Sequence, residues 1–127
     1  MTQGRLEHVN FTVADPQKTA AEFVELFGWR IRWQGEAKDN GHTVHVGEDD
    51  TYLAIYGKVP HPQKAGDSYI TNGGLNHIGV VVDDLDAVEA KVAAMGYKPH
   101  LHGDYEPGRR FYFDNADGIE IEVISYD

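Results

Sequence analysis

The sequence predicts an α+β fold made of two copies of one βαβββ unit. Three observations lead there: an internal repeat, strands that alternate apolar and polar residues, and one capped helix in each half. The repeat is the strongest of them. Leu6-Glu7-His8-Val9-Asn10-Phe11-Thr12-Val13 aligns with Leu75-Asn76-His77-Ile78-Gly79-Val80-Val81-Val82 at an offset of 69. At an offset of 68, Val24, Gly28 and Trp29 meet Val92, Gly96 and Tyr97, and Leu53 and Ile55 meet Ile121 and Val123. Module one is expected over about 4–58, a linker over 59–74 and module two over about 75–126, all in one domain spanning 1–127.

The elements follow in order. Val9, Phe11 and Val13 alternate with His8, Asn10 and Thr12, which is the pattern of a half-buried strand over about 5–13. Asp15-Pro16 starts a helix, with Asp as N-cap and Pro in the first turn. Ala20, Phe23, Val24 and Phe27 supply its apolar stripe, and Gly28 ends it. Strands are expected near 29–36, 42–48 and 51–57, with Gly41 and Asp49-Asp50 marking the turns. In the second half a strand over about 75–83 leads to a helix capped by Asp84. Leu85, Val88, Val92 and Met95 stripe that helix and Gly96 closes it; strands follow near 97–102, 109–114 and 118–125. The linker is rich in Pro, Gly and polar residues, as an exposed loop is.

Composition narrows the function. The 127 residues suffice for one domain with a real core. The absence of cysteine excludes disulfides and thiolate metal sites, so any metal is held by nitrogen and oxygen. A formal charge of −10 opposes binding to nucleic acid or anionic lipid. No apolar run could span a membrane, and the start MTQGRLEHVN lacks the apolar core of a signal peptide, so the expected location is cytoplasmic.

The alternation also sorts the polar residues by face. Val9, Phe11 and Val13 need the helix layer, so His8 and Asn10 point to the sheet's other face, and His77 does the same beside Ile78, Val80 and Val82. With Ile119, Ile121 and Val123 on the helix side, Glu120 and Glu122 face the way the two histidines do. His8, His77 and Glu122 together make a plausible site for one divalent metal: Fe, Mn, Zn, Ni or Co. The repeat partner of Glu122 is Ala54, so three protein ligands rather than four are expected. Such a site keeps open positions for substrate. His42, His45, His61 and His100 receive no role.

LEHVNFTVADP, LNHIGVVVDDL and FYFDNADGIEIE, carrying His8, His77 and Glu122, resemble the ligand-bearing segments of the glyoxalase/bleomycin-resistance/dioxygenase (vicinal oxygen chelate) superfamily. The resemblance implies paired βαβββ modules forming a half-open barrel around a divalent metal, a small-molecule substrate and a homodimer. It implies a glyoxalase-like lyase or isomerase, or a dioxygenase. Tyr112 would donate a hydrogen bond to substrate or to a developing oxyanion, and Glu120 would act as a base. Asn10, Tyr52, Tyr56, His102 and Arg110 are the candidate substrate contacts, with Arg110 clamping an anionic group and His102 able to serve as acid or base. The alternative is a metal-free small-molecule-binding protein of the bleomycin-resistance type. The acidic charge and Trp29, Trp33, Tyr52 and Tyr56 would suit a cationic ligand.

Overall fold

A computed structural model describes residues 3–60, 63 and 65–127. His61, which falls in the expected linker, lies outside the described residues. The chain divides into two compact units, Met1–Gln63 and Lys64–Asp127.

In the first unit, β1 (His8–Thr12) is followed by α1 (Pro16–Phe27), β2 (Arg30–Ala37), β3 (Gly41–Gly47) and β4 (Tyr52–Gly57). The sheet order is β1-β4-β3-β2, with β1 parallel to β4 and the other pairs antiparallel. Asp15 caps α1, its carboxylate accepting from Lys18 N at 3.2 Å, and Pro16 occupies the first turn, where a missing N–H costs nothing. Gly28 closes the helix at φ 68°, a conformation that a side chain disfavours, and donates to Val24 O. The buried stripe runs through Thr19, Ala20, Phe23 and Leu26. Val24 and Phe27, expected in it, are only half-buried, because the arc is centred on Phe23 and Val24 is rotated about 100° from it. Val44, Val46 and Ile55 form the fully buried helix-facing side of the sheet.

The β2–β3 turn differs from the expectation. Asp39 and Asn40 adopt the left-handed conformation (φ 58° and 63°), while Gly41 is extended and already in β3. Gly41 serves packing instead: a Cβ there would collide with the Tyr56 ring.

The second unit repeats the plan with β5 (His77–Val81), α2 (Leu85–Ala94), β6 (His100–Tyr105), β7 (Gly108–Asp114) and β8 (Glu120–Ser125). Its order is β5-β8-β7-β6, again with only the first pair parallel. Asp84 caps α2 by accepting from Ala87 N at 3.1 Å, and Leu85, Val88 and Val92 face a core of Phe111, Phe113, Ile121 and Val123. Met95 stands at the helix end, half-buried. The molecule is therefore α+β, with two four-stranded sheets, each carrying one helix.

Strand register reproduces the sequence repeat. His8 pairs with Tyr52 and Asn10 with Ala54; His77 pairs with Glu120 and Gly79 with Glu122. Tyr52 and Glu120 are thus equivalent positions, as are Ala54 and Glu122.

Candidate metal centre and its surroundings

In the second unit, Glu122 of β8, Tyr112 of β7 and His100 of β6 are direct partners in one row, and His77 of β5, paired with Glu120 two residues before Glu122, lies diagonally beside that row on the same face. His77 Nε2 lies 3.3 Å from Glu122 Oε1. Its other nitrogen, Nδ1, lies 3.2 Å from the Tyr69 hydroxyl and 3.5 Å from Glu120 Oε1. The Tyr69 hydroxyl spends its proton on Glu120 Oε1, at 2.7 Å. With its own proton on Glu120, the Tyr69 oxygen is free to accept from His77 Nδ1. An ionised carboxylate only accepts, so the contact between His77 Nε2 and Glu122 Oε1 is favourable with a cation, metal or proton, between them.

Glu122 is held from its other side. Arg110 Nη1 donates to Oε2 at 3.0 Å, and the two side chains are 12% and 13% exposed. The Arg110 guanidinium also covers the Tyr105 ring, 4.7 Å from its centroid. Among the described residues, Arg110 Nε and Nη2 are buried without a hydrogen-bond partner. Tyr112 meets His77 edge-on at 5.7 Å. Its phenol is pushed up from the usual tyrosine range, mainly by burial and then by the Glu122 carboxylate beside it. Tyr69 is pushed up to about 12, chiefly by its hydrogen bond to Glu120.

In the first unit, His8 Nδ1 lies 2.9 Å from Glu7 Oε1, which also accepts from the Tyr52 hydroxyl at 3.2 Å. A carboxylate only accepts, so His8 is the donor in that contact. Tyr52 is sandwiched between His8 (4.9 Å) and His45 (4.6 Å), with Arg32 4.5 Å from its ring centroid and Trp33 5.1 Å beyond on His45. Asn10 lies on the same face, opposite Ala54. His45 pairs with Ala54 as Tyr112 pairs with Glu122. Burial, then the neighbouring His8, holds the His45 imidazole below the usual histidine range.

Several side chains sit away from where the sequence reading placed them. His102 turns to the helix side, where its Nε2 meets Glu89 of α2 at 2.9 Å. The cause is an irregularity of the β6–β7 ladder between His100 and Gly103, with Leu101 at φ 52°. The shift reverses the alternation, so His100 and not His102 stands beside Tyr112. Glu120 lies behind His77, on its Nδ1 side, and is engaged by Tyr69. Tyr56 donates to Lys38 O at 2.6 Å and packs over Gly41, tying down the β2–β3 turn. Trp29 packs against Phe23 and Phe27 of α1.

His100, His45 and Tyr69 were not singled out from sequence. For His45 the signal was present: the buried Val44 and Val46 flank it, so it must face the other way. Tyr69 comes from the loop before β5 and carries no periodic signal. Among the described residues, no three His, Asp or Glu side chains are placed so that they could hold one metal ion. Nor is any described helix long and apolar enough to cross a membrane.

The second unit does set an imidazole nitrogen and a carboxylate oxygen, two donor types that divalent metals take, 3.3 Å apart.

No curated protein sequence matches the chain. Among solved structures it is similar to a glyoxylase/bleomycin resistance protein/dioxygenase domain from Frankia sp. EAN1pec, with 21% identity, a TM-score of 0.81 and 98% of each chain covered. It is also similar to TnmS3, an antibiotic binding protein from Streptomyces sp. CB03234 (20% identity, TM-score 0.74, 98% of each chain). A third is a mutant of the fosfomycin resistance protein FosX from Listeria monocytogenes, complexed with Mn(II) and 1S,2S-dihydroxypropylphosphonic acid (20% identity, TM-score 0.75, 98% of this chain and 93% of that one). At such identities the likeness establishes the fold. The sequence shows the family: one family model matches residues 5–123, and the chain belongs to the Glyoxalase/Bleomycin resistance protein/Dioxygenase superfamily.

Proposed function

We propose that this protein is a divalent-metal-dependent enzyme acting on a small molecule, with His8, His77 and Glu122 as metal ligands. The observation that carries this reading is the facing pair in the second unit. His77 Nε2 and Glu122 Oε1 are 3.3 Å apart, while Nδ1 is already engaged by Tyr69 and Glu120. When bound, the metal would supply Lewis-acid polarisation of a carbonyl or hydroxyl oxygen. The chain's own residues do the rest. Tyr112, beside Glu122 and edge-on to His77, donates its phenolic hydrogen toward the substrate. Arg110 keeps Glu122 in one rotamer through Nη1, and its Nε and Nη2 remain as donors for an anionic substrate group. His100, 3.8 Å from Asp114, is the histidine placed to exchange a proton beside Tyr112.

A second reading rests on the first unit. Trp33, His45, Tyr52 and His8 form a continuous row of rings, and Trp33 is 52% exposed. A metal-free binding protein would use such a row to stack a flat ligand.

Elemental analysis of tag-free protein separates the two. About one divalent ion per chain, lost in His77→Ala and Glu122→Ala and in His8→Ala, is the result expected of the enzyme. Protein that stays metal-free after incubation with Fe, Mn, Zn, Ni and Co salts, yet binds a cationic glycopeptide with a change in tryptophan fluorescence, overturns it in favour of the second reading.

A further inference from the structure

The sequence contains two Asn-Gly pairs, Asn40-Gly41 and Asn72-Gly73, and the fold treats them oppositely. In such a pair the chain can attack its own side chain, because glycine has no Cβ to keep its backbone nitrogen from the asparagine amide carbon. The reaction needs a glycine nitrogen that water reaches, that is free of hydrogen bonds and that has room to move. Gly41 meets none of these conditions. It is buried at the start of β3, its N–H donates to Lys38 O, and it is paired with Ala37 in the β2–β3 ladder. The Tyr56 ring fills the space beside it, and the Tyr56 hydroxyl donates to the same Lys38 oxygen at 2.6 Å.

Gly73 meets all three. Asn72 and Gly73 are exposed and form the centre of a tight turn, closed by Gly74 N on Thr71 O at 3.0 Å, with Gly73 at φ 84°. Among the described residues nothing accepts from Gly73 N, and a Cβ there would meet no atom within 4 Å. This turn rests on the one that presents Tyr69. A Cβ on Gly74 would lie 2.7 Å from Ser68 O, so Gly74 sits directly against the short 3-10 turn Ser68–Ile70. Thr71 Oγ1 donates to Asp67 O at 2.8 Å, and Asp67 accepts from Tyr69 N at 3.0 Å. The Tyr69 hydroxyl then donates to Glu120 at 2.7 Å.

We propose that Asn72 is a site of spontaneous deamidation in the folded chain, and that the isoaspartyl product loosens the turn that holds Tyr69 on Glu120. The Gly73 nitrogen gives its proton to hydroxide and bonds to Asn72 Cγ. The Cγ–Nδ2 bond breaks, and the amide nitrogen takes a proton from water and leaves as ammonia. A second water opens the cyclic imide at one of its two carbonyls. Opening at Cγ gives an ordinary aspartyl residue. Opening at the backbone carbonyl gives an isoaspartyl residue, in which the chain runs through Cβ and Cγ. No atom changes oxidation state. The isoaspartyl chain is one carbon longer between Thr71 and Gly74, so Gly74 N no longer closes on Thr71 O while Gly74 stays against Ser68. The proposal is independent of the metal reading.

The test ages the full chain in mildly alkaline buffer, folded and in urea, and follows both pairs by peptide mass spectrometry with isoaspartyl methyltransferase labelling. In urea the two asparagines are expected to react at similar rates, since each precedes glycine. In the folded chain Asn72 is expected to react and Asn40 to lag by at least about tenfold, because its reaction waits on local opening of the β2–β3 hairpin. The loop is followed by 19F spectra of the chain labelled with 3-fluorotyrosine, the Tyr69 signal being assigned with Tyr69→Phe. A second Tyr69 signal is expected to grow in step with the isoaspartyl product and to stay absent in Asn72→Gln. Asn40 reacting as fast as Asn72 in the folded chain, or Asn72 reacting only in urea, overturns the site. A Tyr69 signal that stays single after Asn72 has converted overturns the loosening.

Discussion

Glu122 is gripped from both sides: Oε1 lies 3.3 Å from His77 Nε2 and Oε2 accepts from Arg110 Nη1 at 3.0 Å. The Arg110 contact has an energetic consequence apart from any metal. Both side chains are nearly nine-tenths buried, so removing the acid strands a guanidinium whose Nε and Nη2 already lack partners. Glu122→Ala is expected to destabilise the metal-free chain by about 3 kcal/mol, and Arg110→Met with Glu122→Leu by much less, since both charges then leave together. Urea denaturation of the three proteins checks this. Equal losses in the single and double variants would show that the stranded guanidinium is not the source of the cost.

The depressed His45 imidazole makes a pH prediction. A folded-state pKa below the unfolded value of 6.5 means that the unfolded chain takes up this proton first. Stability should therefore be level well above that value, fall as pH drops through it, and level off below the folded-state pKa. Urea midpoints measured between about pH 8 and about pH 5 are expected to decline more steeply for the natural sequence than for His45→Gln. Parallel declines would remove His45 as a contributor.

Gly41 and Tyr56 form a testable pair, because the ring occupies the space where a Cβ would go. Gly41→Ala is expected to cost about 1–3 kcal/mol by overpacking. In a Tyr56→Ala background the same substitution should cost little. A double-mutant cycle on thermal or urea unfolding gives the coupling directly, and additive losses would contradict it.

The helix starts offer a plainer check. Asp15→Ala and Asp84→Ala each remove one side-chain acceptor from an unpaired helix N–H, at 3.2 and 3.1 Å. Each is expected to lower stability by about 1 kcal/mol, and Asn at either position to restore most of it. Failure of Asn to rescue would mean that the acids act otherwise than as caps.

Much of this architecture could be read in advance because it depends on neighbours in sequence. Asp15-Pro16 and Gly28 bracket α1, Asp84 starts α2, and the alternation about Phe11 and Val80 sends His8 and His77 away from the buried side. The offset that pairs Ala54 with Glu122 is reproduced in the ladders, where Asn10 and Gly79 are their respective partners. Local reading failed where alternation itself breaks. The irregular ladder after His100 and the positive φ of Leu101 turn His102 onto Glu89 and leave His100 by Tyr112. Gly41 was misread for a related reason: glycine marks turns often, but here its missing side chain makes room for a ring that arrives from β4.

By itself, then, the sequence determined two βαβββ units, their capped helices and the face on which each strand-start histidine lies, since these follow from backbone periodicity and adjacent residues. Only the tertiary structure decided what touches those histidines. Tyr69, from a loop without periodicity, bonds Glu120, 51 residues away. Tyr52 meets Glu7 across a parallel strand pair, 45 residues apart in sequence. Contacts of that kind depend on register and loop path, which no stretch of neighbouring residues encodes.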